Sequence, residues 1–97
     1  MKLPDKIKVG NITYDIELRS DLGEECLGIH KYKGNSTALY LSDELEGDKK
    51  RNIFFHELTH AILCQIGADD QFDDEMFVQS LANELDKLFE LKQALKE

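Results

Sequence analysis

Apolar positions recur every second residue through the first forty residues, then every three to four. Ile7 and Val9 alternate with lysines, Gly10-Asn11 interrupts, and Ile12, Tyr14, Ile16 and Leu18 alternate with polar residues. Period two on either side of Gly-Asn predicts a β-hairpin with one buried face. Residues 19–25 (RSDLGEE) form a polar connection, and Leu27, Ile29 and Tyr32 predict a third strand. Gly34-Asn35-Ser36 predicts a turn and TALYLS (37–42) a fourth strand, with Leu39 and Leu41 on one side and Ala38 and Tyr40 on the other.

The second half carries the longer period. One helix is predicted from about Asp48 to Ile66, ended by Gly67 as the residue after the C-cap. A second is predicted from about Phe72 to Leu95, where Phe77, Leu81, Leu85 and Leu88 keep three-four spacing and Val78, Ala82 and Phe89 widen the stripe. The connection between them is short, so they are expected to pack antiparallel. The fold class read from the pattern is α+β: a small antiparallel sheet of three to four strands followed by two antiparallel helices, in a single domain over 1–97.

The first helix contains FFHELTHAIL, residues 54–63. Phe55, Leu58, Ala61, Ile62 and Ile66 gather on one side. His56 and His60 stand on the opposite side, where an ordinary half-buried helix would carry lysine and glutamate. Residues four apart stack one turn above each other, so both imidazoles can reach one ion. Glu57 is turned about 100° away from His56; it is placed not to bind that ion but to reach a water the ion holds. This is the spacing of the H-E-x-x-H zinc site, with two ligands and a general base.

A catalytic zinc takes three protein ligands. Cys64 continues the row of histidines, but the eight residues from His56 to Cys64 rise about 12 Å along a helix, so it reads as a small buried thiol. Asp74, Glu75 and Glu84 lie on the returning helix. Asp74 sits near the helix start, where it can serve as a cap, and periodicity does not choose between Glu75 and Glu84.

Composition narrows the function classes. The net charge is −8, from 20 acidic and 12 basic residues, which disfavours unspecific contact with nucleic-acid backbones or anionic lipid. Asp69, Asp70, Asp73, Asp74 and Glu75 crowd one stretch, as a solvated acidic loop or as the surroundings of a cation. No stretch approaches the roughly 18 apolar residues of a membrane span, and MKLPDKIKVG lacks the apolar core of a signal peptide. With Cys26 and Cys64 as the two cysteines, a cytoplasmic protein with reduced thiols is expected.

HELTH followed by a glutamate on the next helix resembles the gluzincin branch of zinc metallopeptidases. The pattern Glu75, Phe77, Val78, Leu81, Ala82, Leu85 is similar to the second helix of small zincin-like proteins. These include the SprT-like and ImmA/IrrE-type metallopeptidases of phages and mobile elements, and the minigluzincins. The resemblance implies one Zn²⁺ per chain held by His56, His60 and Glu75, with Glu84 as the next choice, and Glu57 as catalytic base in peptide-bond hydrolysis. Many gluzincins place an aspartate four residues after the ligand glutamate; here Gln79 stands there, with an amide that can still orient a ligand. The substrate implied is an extended peptide or protein segment added along an edge strand, expected at residues 37–42. Tyr40, Tyr32 and His30 are candidate donors to the developing oxyanion; otherwise the tyrosines pack on the sheet and His30 lies on the surface. The alternative function is a metal-stabilised, latent or inactive binding or regulatory protein on the same scaffold; residues 90–97 could cover the cleft in such a protein, but they read first as a solvated helix end.

Overall fold

The computed structural model describes residues 2–96. The period-two half forms β1 (Lys6–Val9), β2 (Ile12–Arg19), β3 (Gly28–Lys33) and β4 (Ser36–Ser42); the remainder forms α1 (Gly47–Gln65), α2 (Asp69–Phe72) and α3 (Glu75–Lys96). Both hairpins close through a two-residue Gly-Asn loop, between the pairs Val9↔Ile12 and Lys33↔Ser36. In each loop the glycine takes the left-handed conformation, φ 60° at Gly10 and 57° at Gly34. A glycine at the first loop position is what a tight two-residue hairpin turn requires.

The sheet order is β1-β2-β4-β3. The hairpins are antiparallel, but β2 and β4 run parallel, from Asp15↔Ala38 to Arg19↔Ser42. The sheet is therefore mixed, where an antiparallel one was expected. Composition explains the arrangement. β4 carries Ala38, Leu39 and Leu41, all buried, and takes a central position. β3 carries His30, Lys31 and Lys33 and takes the edge, where lysines also guard against unwanted strand pairing. The free edge beside the helices is consequently β3, not residues 37–42, which are hydrogen-bonded on both sides.

Strand β3 also faces opposite to the simple reading of its apolar residues. His30 pairs with Leu39, a fully buried core residue, and Ile29 pairs with Tyr40. Directly opposed residues share a face, so Gly28, His30 and Tyr32 face the helices while Ile29 faces away.

Helix α1 packs on β1, β3 and β4, and α3 packs on α1. α1 is thus the middle layer, buried on both sides, and the core runs from Val9, Tyr14, Leu39 and Leu41 through Phe54, Phe55, Leu58 and Ala61 to Ala82. Its C-terminus closes as a Schellman motif: Gly67, at φ 74°, donates its N–H to the carbonyl of Cys64, and Ala68 donates to that of Leu63.

The predicted second helix starts three residues late, and an unpredicted turn of helix occupies the connection before it. A single turn, α2, ends at Phe72, and α3 begins at Glu75. Asp74 makes the break, because its Oδ1 accepts from the Phe77 N–H at 3.1 Å and so caps α3. The architecture is α+β with three helices rather than two. No described helix is long and apolar enough to cross a membrane.

Candidate metal centre

The antiparallel crossing of α1 and α3 brings the start of α3 against the middle of α1. His56 Nε2 lies 2.9 Å from Glu75 Oε2, and His60 Nε2 lies 3.2 Å from Glu75 Oε1. These three residues form a potential metal-binding group, with their ligand atoms all within 4.8 Å of one another. The two nitrogen–oxygen spacings approach the edge of a tetrahedron with bonds near 2 Å, roughly 3.3 Å. Glu84 is not part of the group: its side chain is exposed and paired with Lys87 at 3.1 Å. Asp74 is used as a cap, and Cys64 is a free thiol outside the group.

Hydrogen bonding tests whether this donor set fits a cation. Gln79 Nε2 donates to Asn83 Oδ1 at 2.9 Å, which turns its Oε1 towards His56 Nδ1, also at 2.9 Å. His56 therefore donates from Nδ1, and its Nε2 is turned to the Glu75 carboxylate, where a neutral ring could act as a ligand. The second imidazole, His60, is 8 % exposed and its Nδ1 is buried with no hydrogen-bond partner. Burial lowers its pKa, with Glu75 pulling the other way, and so favours the neutral form that can act as a ligand. Converging lone pairs, a neutral imidazole and a carboxylate fit a divalent cation of the zinc type. Gln79 thus fixes the orientation of the His56 ring.

Glu57 is 8 % exposed and its carboxylate borders a cavity of about 400 Å³ shared with His56, His60 and Glu75. Burial pushes the Glu57 carboxyl up to about 7; His56 draws it down and Glu75 pushes it up. Its other neighbour is the backbone of β3. A Cβ on Gly28 would stand 2.9 Å from Glu57 Cγ and 2.9 Å from Ile53 Cγ2, so only glycine lets the edge strand pass this close. The role of Gly28 was missed in the sequence; the signal for it is an isolated glycine at the start of a strand.

Two further residues complete the walls. Phe72 sets its ring edge against His60, with centroids 4.7 Å apart, and against His30 at 5.6 Å. His30 is a half-buried cavity residue rather than a surface one, hydrogen-bonded to Tyr14 Oη at 2.9 Å. Tyr40 lies on the opposite side of the sheet beneath Arg19 and Lys31, and Tyr32 is 52 % exposed. The stretch that could have covered the cleft lies instead at the far end of α3. Residues 90–96 continue α3, and Glu90 lies about 22 Å of helical rise beyond Glu75; Glu97 falls outside the described residues.

No protein-family model, curated protein or solved structure matches the chain.

Proposed function

We propose that the protein is a zinc-dependent metallopeptidase of the gluzincin kind, holding one Zn²⁺ per chain with His56, His60 and Glu75 and using Glu57 as general base. The observation that carries this reading is the convergence of both Nε2 atoms on the Glu75 carboxylate, beside a cavity into which a second carboxyl, that of Glu57, opens. A purely structural site has no use for that extra acid.

Zinc in this position supplies Lewis acidity to a water and to a substrate carbonyl. The chain supplies the rest. Glu57 takes a proton from the attacking water and delivers it to the leaving nitrogen as the C–N bond breaks. Burial raises its pKa, which favours its taking a proton from the water. Gln79 keeps His56 turned towards the ion through Nδ1. The free edge of β3 offers main-chain hydrogen bonds to an extended peptide or unfolded protein segment, and Gly28 lets that edge run beside Glu57. The free cysteines and acidic charge agree with a cytoplasmic setting and with a protein rather than nucleic-acid substrate.

The test is hydrolysis of unfolded casein by tag-free protein and its Glu57→Gln variant. Glu57→Gln is expected to keep its zinc and lose about 10²–10⁴-fold in rate. Undiminished hydrolysis by the variant contradicts the reading. A zinc-loaded wild type with no hydrolysis points to a latent or regulatory protein on this scaffold.

A further inference from the structure

Three residues far apart in sequence form a hydrogen-bonded chain that reaches the cavity at His30. Gln65, at the end of α1, donates from Nε2 to Tyr14 Oη at 3.0 Å. Tyr14 Oη lies 2.9 Å from His30 Nε2. Tyr14, on β2, is completely buried, and its ring packs against the His30 imidazole with centroids 5.4 Å apart.

The chain has a direction. With Gln65 donating to the phenol oxygen, the phenol proton has one remaining acceptor among the described residues, His30 Nε2. A neutral imidazole that accepts at Nε2 carries its proton on Nδ1. Desolvation holds the His30 pKa down at about 4, so the ring is neutral at physiological pH. His30 faces the helices from the edge strand and borders the same cavity as His56, Glu57, His60 and Glu75. Satisfying the buried Tyr14 hydroxyl would not require a histidine from a different strand at the mouth of this cavity.

We infer that His30 is a catalytic residue: its Nδ1–H, oriented by Tyr14 and Gln65, donates a hydrogen bond to the substrate carbonyl oxygen as that oxygen gains negative charge. This rests on the peptidase reading above. His30 keeps its proton throughout. Water adds to the carbonyl carbon, Glu57 moves the proton to the leaving nitrogen, and the C–N bond breaks, while His30 stabilises charge without exchanging atoms. Such a donor is worth more in the transition state than in the ground state, so it acts on kcat rather than KM. Tyr14 and Gln65 are positioning residues that hold the tautomer.

Two readouts test the inference on the full chain. Long-range ¹H–¹⁵N correlation should show His30 protonated at Nδ1 and bare at Nε2, with that preference weakened in Tyr14→Phe; the opposite tautomer overturns the inference whatever the activity. On unfolded casein, His30→Asn should retain its zinc and lose about 10²–10³-fold in kcat with KM little changed. Tyr14→Phe, which keeps the ring packing, should lose less. If Glu57→Gln abolishes hydrolysis while His30→Asn retains wild-type kcat, the His30 assignment falls and the peptidase reading stands. If no form of the protein cleaves casein, both fall.

Discussion

The interface between α1 and α3 carries charged groups at both ends, and the two ends are built differently. At one end Arg51 donates from Nε to Asp86 Oδ1, reaches Glu90 Oε1 at 3.0 Å and the Asp86 carbonyl at 3.2 Å through Nη2, and lies 5.3 Å from the centroid of the Phe89 ring. Each of these contacts places a donor against an acceptor or a cation over a ring face. At the other end His56 and His60 both turn Nε2 to the Glu75 carboxylate, His60 buries an unpartnered Nδ1, and Glu57 is desolvated beside them. Native interiors pair almost all their buried polar atoms. The Arg51 end obeys that rule and fastens the helices. The histidine end is arranged instead around the Glu75 carboxylate, on which both Nε2 atoms converge beside the buried Glu57.

Perturbations at the two ends should therefore report different quantities. The largest effect belongs to Glu57, whose substitution acts on rate and leaves the metal in place. Next comes Arg51→Met, which leaves Asp86 without its partner. It should cost about 1–3 kcal/mol of stability in urea titrations, while zinc content and casein hydrolysis per folded molecule stay at wild-type levels. Loss of zinc in Arg51→Met would mean that the ends are not separable.

The smallest effect is on the pH dependence of stability. Burial holds His30 at about 4 in the folded protein, below the usual histidine value. On acidification the unfolded chain takes up that proton first, so stability is complete above about pH 6.5 and declines towards pH 4. His60 adds in the same direction. Because His30 is half-exposed, its own share is about 1 kcal/mol. Urea titrations in chelator at pH 7.5 and 4.5 should show His30→Asn losing less stability on acidification than the wild type. An equal loss would place His30 in a more solvated setting than the structure shows.

The parts of the molecule legible in the sequence are those set by local spacing. The four-residue separation of His56 and His60, the glycine end of α1 and the Gly-Asn turns need only a few consecutive residues to be read. Antiparallel helices follow from a short connection. What the pattern could not supply depends on contacts between distant residues. Whether β3 or β4 lies beside β2 is decided by which strand is apolar on both faces, and that requires weighing the strands against each other. The direction of His30 follows from its register opposite Leu39, not from the apolar residues around it. The choice of Glu75 over Glu84 turns on the break at Asp74, because that cap fixes where α3 starts and which carboxylate meets the histidines. Gly28 carries no side chain to reveal its purpose until Glu57 is found against it.

The central claim is that His56, His60 and Glu75 hold a zinc ion. The most direct test is zinc per chain by elemental mass spectrometry, on tag-free protein purified without added metal, beside Glu75→Ala. The account predicts about one zinc per chain in the wild type and clear loss in the variant. A wild type that carries no zinc and neither binds nor gains stability from added zinc would contradict it, and would leave the HELTH sequence as a packed helix with unpaired polar atoms.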